Sequence, residues 1–218
     1  AGIKATSRWN SFTATFFDRA KESDPWQVNP MLTNDLTHQE NIFAAYLTYA
    51  DTLAGKLFFR AGSRLEYSSS YFEQKTSNEQ FRETYLIPFP SLLLKYPISP
   101  GQSIALGLTR RVSRPKYPQL NPFIAVIDQI TYETGNKDLR PELADKAELN
   151  YQLIKQQFQL QANIFYALGQ HYLTQVSLSD NSKLIMTWVN GDKRYQAGLE
   201  SDIRIKAGSK LTFNPAVA

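Results

Sequence analysis

The feature that most restricts this chain is a period of two. Over residues 56–70, Leu57, Phe59, Ala61, Leu65 and Tyr67 share one parity, while Arg60, Gly62, Arg64 and Glu66 share the other. Successive side chains of a strand point to opposite faces, so the segment reads as a strand with one dry and one polar face. The same alternation returns in Phe43, Ala45, Leu47 and Tyr49. It returns again in Ile104, Leu106 and Leu108, and in Ala147, Leu149, Tyr151 and Leu153. It is cleanest over 157–170, where Phe158, Leu160, Ala162, Ile164, Tyr166 and Leu168 oppose Gln157, Gln159, Gln161 and Asn163. Residues 192–206 set Tyr195, Ala197, Leu199, Ile203 and Ile205 against Arg194, Gln196, Glu200, Asp202, Arg204 and Lys206. Strands are also expected over 3–18, over 85–96 with Pro88 and Pro90 near its start, and from Leu211 onward.

These strands run to about 10–15 residues, whereas soluble strands cluster near 5–6. Their connections alternate in length. Long ones are expected over 19–38, 71–84, 112–144 and 171–191, and short ones over 52–55, 97–101, 154–156 and 207–210. In an up-and-down sheet, alternate connections lie at the same end, so all long loops gather at one end and all tight turns at the other. Membrane-spanning barrels have this asymmetry, and strands of this length cross a bilayer at a tilt. A lysine or arginine facing hydrocarbon at mid-depth costs about 2–4 kcal/mol. The shared parity of Arg60, Arg64, Glu66, Arg194, Glu200, Asp202 and Arg204 puts charge on the lumen side. A soluble sheet with one wet face also alternates. A soluble β-sandwich or carbohydrate-binding module therefore stands as the alternative, recognisable by a second sheet packed on the apolar faces.

Totals narrow the field further. The 218 residues suffice for one all-β domain, and no apolar run is long enough for a membrane helix. There is no cysteine, hence no disulfide framework and no thiolate metal site. The net charge of +4 is spread without a like-charge run, so nucleic acid is not an expected partner. The chain opens and closes in strand pattern, and a fragment of something longer is expected.

Chemistry-bearing motifs are sparse. His38 and His171 fall in different expected loops, and no phosphate-binding glycine loop, HExxH or GxSxG occurs. Glu133, Asp138 and Glu142 could converge on a cation, but loop acids more often pair with neighbours such as Arg140. No catalytic residue, metal site or cofactor is therefore expected, and a hydrolase is the weakest reading. Arg110, Arg111 and Arg114 form the densest basic cluster. They are candidates for guiding an anionic ligand, against the plainer reading that they pair with nearby carboxylates. Trp9, Trp26 and Trp188 fit either an interfacial girdle or a core.

The longest irregular stretch, 109–142, reads TRRVSRPKYPQLNPFIAVIDQITYETGNKDLRPE. Pro115, Pro118, Pro122, Pro141 and the Gly135-Asn136 pair set its backbone shape. Its large apolar side chains point to a packed loop of fixed form, since disordered segments lack them. The piece from Thr109 to Phe123, with Arg114, Pro115, Tyr117, Leu120, Asn121, Pro122 and Phe123, resembles a segment of TonB-dependent outer-membrane receptors of the Bacteroidetes barrel type. Gly135, Asn136, Leu139, Pro141 and Glu142 resemble that family's GNPxLxPE signature, with Lys137 in place of its first proline. Residues 40–46, 61–67 and 89–92 are similar to its paired strands.

The resemblance implies a barrel in the cell outer membrane, a separate plug, engagement of TonB through the full-length protein and import of a nutrient ligand without chemistry on it. The expected fold is all-β: a long-stranded antiparallel up-and-down meander, part of a transmembrane β-barrel. Residues 1–218 would form one partial barrel domain of roughly nine strands, without plug or remaining strands. The implied partners are outer-membrane lipid, TonB, the plug and an unidentified nutrient. Open sheet edges would permit self-association.

Overall fold

The computed structural model describes residues 1–29, 32–180, 182–207 and 211–217. In chain order the elements are β1 (Gly2–Ala14), β2 (Phe17–Asp18), β3 (Gln27–Val28), β4 (Asn34–Leu53), β5 (Leu57–Gln74), β6 (Glu79–Ser99) and β7 (Gln102–Ser113). There follow α1 (Tyr117–Leu120), β8 (Ala125–Val126), β9 (Thr131–Thr134), β10 (Glu142–Ile154), β11 (Phe158–Gln170), β12 (Leu173–Asp180) and β13 (Lys183–Asn190). The chain ends with β14 (Lys193–Ala207), β15 (Leu211–Phe213) and β16 (Ala216–Val217).

The main sheet runs β1-β4-β5-β6-β7-β10-β11-β14-β15, with β16 also on β14. Every pairing in it is antiparallel. β15 and β16 read as one edge strand interrupted at Pro215, whose carbonyl still accepts from the Ile203 N–H at 3.0 Å. The meander is open at β1 and at β15/β16.

β4, β5 and β6 are longer than the sequence pattern implies, at 20, 18 and 21 residues. Residues 71–84, expected as a polar loop, instead continue β5 and β6 into a protruding hairpin arm. Tyr71, Phe72 and Glu73 pair with Arg82, Phe81 and Gln80. The polar composition misled because this arm stands above the apolar band, where both faces meet water or loop. The strand expected over 3–18 stops at Ala14, its last two residues forming β2, which pairs with β3 inside the loop expected over 19–38; that loop yields its last five residues to β4. The excursion 171–191 is a β12–β13 hairpin. The turn expected at 207–210 lies, except for Ala207, outside the described residues.

Pro88 and Pro90 sit well inside β6, yet the ladder from β6 to β7 begins only at Ser91. Both prolines therefore lie where β6 has no partner on that side, which spares the missing N–H. At the opposite end the tight turns support each other: the Ile154 N–H donates to the Gly101 carbonyl at 2.6 Å. Gly101 has φ +78, and a Cβ there would collide with the Ile154 carbonyl.

Register sorts the faces. Phe43 pairs with Tyr67 and Tyr67 with Leu86, placing all three on one side of the sheet. That side continues through Leu92, Leu108 and Ala147, and on through Ile164 and Leu199. It is bare: Leu47 is 65% exposed, Leu86 64%, Ile164 56% and Leu199 59%. Among the described residues no second sheet covers it, so the β-sandwich alternative has no packed partner layer. A naked aliphatic band of this extent is what a lipid-facing wall presents and a water-facing one avoids.

Candidate functional site

The buried core lies on the opposite, inward face, at the long-loop end. Leu36 on β4 and Phe72 on β5 pack with Leu120 of α1 and with Leu139. Phe81, Tyr117, Leu173 and Trp188 lean against this cluster. His38 stacks on Phe72 at 4.1 Å between centroids, and Phe72 on Phe81 at 4.6 Å. The proline-punctuated stretch is thus no free outer loop. It folds back as a strap across the inner wall, burying Leu120 and Leu139 to within 7% and 1% of full exclusion.

Local geometry explains the bend. Pro115 precedes one helical turn and Pro118 sits in its first positions, and the Gln119 side chain accepts from the Lys116 N–H at 2.7 Å, closing its start. The Asn121 N–H donates to the Tyr117 carbonyl at 3.1 Å, closing its end. The two signature segments then meet: the Gly135 N–H donates to the Asn121 carbonyl at 2.8 Å and the Asn136 N–H to the Gln119 carbonyl at 2.7 Å. A Cβ on Gly135 would stand 2.5 Å from the Asn121 carbonyl oxygen and 2.7 Å from its nitrogen, so this contact needs glycine. Asn121 Oδ1 accepts from Gln74 Nε2 at 3.1 Å, and Gln74 Nε2 also donates to Asn34 Oδ1 at 2.7 Å. That ties the strap to β4 and β5. Asn136 Nδ2 donates to the Trp188 carbonyl at 3.0 Å, and β9 pairs in parallel with β13. The strap and the β12–β13 hairpin form a four-stranded sheet of their own. Pro141 lines the cavity beneath the strap, and Pro122 and Phe123 line a neighbouring hollow on its other side.

The three arginines part company. Arg114 reaches inward, donating from Nη2 to Glu66 Oε2 at 2.6 Å and lying 3.8 Å from Glu40. With Arg8–Glu40 at 3.1 Å and Arg64–Glu66 at 2.7 Å, charges alternate along Arg8, Glu40, Arg114, Glu66 and Arg64. Both carboxylates are buried. Arg110 lies on the same side as Leu108 and grips Asp145 through two bonds of 2.7 and 2.8 Å, a neutral pair on the outward face. Arg111 is exposed and shares an inner hollow with Lys4, Arg64 and Phe89. It is the member of the trio without an ion pair among the described residues. Glu142 accepts from Arg194 at 2.7 Å.

His38 and His171 do not meet, and among the described residues no group of three or more His, Asp or Glu side chains gathers in metal-binding range. Glu133 is bonded by Gln175 Nε2 at 3.1 Å, away from Glu142. Trp9 is exposed on the outward face and Trp188 packs on the core, while Trp26 carries Arg19 over its ring at 4.7 Å. His38, Glu40 and Ser68 escaped the sequence reading as a group. Their signal was a polar residue at inward parity on each strand, and only the register sets them side by side.

The model of the outer membrane protein beta-barrel family matches residues 1–217. The chain belongs to that family. It is an outer-membrane β-barrel protein, and the solved structures it resembles include a metal transporter and siderophore receptors. The copper transporter OprC superposes with a TM-score of 0.71 at 12% identity, covering 98% of this chain and 33% of that one. The ferric yersiniabactin uptake receptor FyuA from Yersinia pestis gives 0.63 at 14% identity, covering 99% and 31%. The siderophore receptor PirA from Pseudomonas aeruginosa gives 0.58 at 13% identity, covering 98% and 49%. The chain thus spans about a third to a half of the length of these structures. At such identities the likeness is one of fold. No curated protein sequence matches the chain.

Proposed function

We propose that this chain is wall, lumen lining and strap of an outer-membrane transporter that imports a nutrient, powered through TonB and gated by a plug elsewhere in the full-length protein. The observation that carries the reading is the division of the sheet in a member of an outer-membrane barrel family. A continuous aliphatic band faces out, and an alternating ladder of Arg8, Glu40, Arg114, Glu66 and Arg64 faces in. A polar, charged inner wall suits the passage of a hydrophilic cargo, as in channel-forming barrels. The chain itself performs no chemistry on that cargo. Its residues 1–218 form one barrel portion, completed by strands outside it, which would cap the open edges at β1 and β15/β16. The partners are outer-membrane lipid on the band, the plug within the lumen and the nutrient above it. Arg111, exposed beside Lys4 and Arg64, is the strongest of the three arginines for touching an anionic cargo.

Uptake by cells carrying the full-length receptor tests this. A nutrient screen in paired strains with and without TonB should reveal a compound whose entry needs both the receptor and TonB. Uptake equal in both strains for every receptor-dependent compound would refute energised import.

A further inference from the structure

Beside the strap, on the inward face of the sheet, lies a hollow of about 480 Å3 where β1, the strap and the β12–β13 hairpin come together. Its volume falls within the range of small-ligand pockets, about 300–1,000 Å3. Four aromatic side chains from these three parts of the chain line it: Phe12 on β1, Tyr117 and Phe123 on the strap, and Trp188 on β13. Tyr117 and Trp188 lean on the core cluster of Leu36, Phe72, Leu120 and Leu139, which steadies them. Phe12 pairs in register with Leu36 yet is 43% exposed, and Phe123 is only half-buried. Among the described residues none of the four rings stacks on another ring or carries a cation over its face. Apolar ring surface therefore converges on one concave place and is left uncovered there.

The polar groups of the lining narrow the occupant. Asn34 Oδ1 and Asn121 Oδ1 accept from Gln74 Nε2 at 2.7 and 3.1 Å. The Gln119 side chain accepts from the Lys116 N–H at 2.7 Å, and the Thr134 hydroxyl donates to the Pro122 carbonyl at 3.0 Å. These groups already serve the strap, so a compound rich in hydroxyls would find few free partners. The lining carries one cation, Lys116, and one anion, Glu133, which form no ion pair with each other. Glu133 Oε1 accepts from Gln175 Nε2 at 3.1 Å. The formal charges cancel, and the hollow makes no demand for an ion. Flat rings are what remain to be satisfied, and aromatic pairs gain beyond their buried area when a second ring stacks or meets them edge to face. We infer that the hollow is a binding site for a planar aromatic compound, its ring received among Phe12, Tyr117, Phe123 and Trp188. The inference goes beyond the import reading and stands apart from it: binding is read without TonB and without uptake, so either can fail alone.

The experiment is calorimetric titration of the purified full-length protein in detergent. The probes are 2-naphthylacetate and 2-(2-naphthyl)ethylamine, one flat fused ring with a negative or a positive charge, each beside its saturated decahydro counterpart. Saturable binding of at least one naphthyl probe is expected, with its decahydro counterpart about tenfold weaker or more. Phe12→Leu and Phe123→Leu keep apolar bulk and remove the flat face; each should weaken binding several-fold, and the two together about tenfold or more. Heat-modifiable migration checks that the barrel has formed. The two positions lie on different elements, so one variant keeps the test open if the other fails to fold. Decahydro counterparts binding as well as the naphthyl probes, binding unchanged in the folded variants, or no binding of either naphthyl probe, as when another segment of the full-length protein fills the hollow, would each overturn the inference.

Discussion

Replacing Arg114 by methionine should loosen the strap while leaving the barrel intact. Methionine keeps most of the stem packing and removes the guanidinium. The lost partners are Glu66 at 2.6 Å and Glu40 at 3.8 Å, with side-chain exposures of 10% and 9% against 22% for Arg114. Breaking a fully buried pair costs about 3–5 kcal/mol, because a charge is left alone. Here Glu66 keeps Arg64 at 2.7 Å and Glu40 keeps Arg8 at 3.1 Å, so neither carboxylate is abandoned. The expected cost is about 2 kcal/mol, the scale of one charge-assisted hydrogen bond. It falls on opening of the strap, since the main-sheet ladders do not involve Arg114. Amide hydrogen exchange reads it directly. The N–H groups of Asn121, Gly135 and Asn136 close the strap, and their exchange should accelerate about 30-fold, while amides of β4 and β5 stay unchanged. In a cycle with Glu66→Gln the two effects should be strongly non-additive. Unchanged exchange in Arg114→Met would refute the latch and leave Leu120 and Leu139 as what holds the strap. Acceleration spread equally over β4 and β5 would refute its local character.

Three further outcomes are expected. Gly135→Ala forces a Cβ against backbone atoms of Asn121 and Gln119, so it should open the same strap amides by exchange more than any side-chain change at Lys137 does. Leu47→Arg places a cation on the exposed aliphatic band and should cost about 2–4 kcal/mol in vesicle refolding, whereas Thr48→Arg, facing the inner hollow, should cost much less. Asp128 is held below the usual carboxylate range because the Ile130 and Thr131 N–H groups donate to it at 2.9 and 2.8 Å. A depressed folded-state pKa contributes order that is present above the ordinary carboxylate range and lost as pH falls through the lowered value. Exchange at those two amides, corrected for intrinsic rates, should therefore rise on acidification below the ordinary Asp range, and Asp128→Asn should flatten that dependence.

Much of the wall was legible in the chain because a strand with lipid on one side and water on the other must alternate. Leu57 to Tyr67 and Phe158 to Leu168 say so without help, and family membership agrees with the expected barrel. Strand ends were not legible. Above the membrane the same ladder continues through Tyr71, Phe72 and Glu73, where nothing selects apolar residues on one parity. The strap was marked by its prolines and the Gly135-Asn136 pair, but its direction was not. Folding inward depends on Leu120 and Leu139 finding Leu36 and Phe72, contacts distant in sequence. Likewise, the adjacency of Arg110, Arg111 and Arg114 concealed three fates. Alternation sends Arg110 out to Asp145 and Arg111 in, and the turn after β7 carries Arg114 to Glu66.

These 218 residues contain no cysteine, so once any cysteines elsewhere in the full-length protein are replaced, a single-cysteine scan along β5 is straightforward. Spin labels at 61 to 67 in the full-length protein, reconstituted in vesicles, can be read for collision with oxygen dissolved in lipid and with a water-soluble nickel chelate. Labels at Ala61, Leu65 and Tyr67 should favour oxygen, and those at Gly62, Arg64 and Glu66 the chelate, with a period of two. The reverse parity, or no alternation at all, would contradict a sheet whose aliphatic face meets lipid and whose charged face lines the lumen.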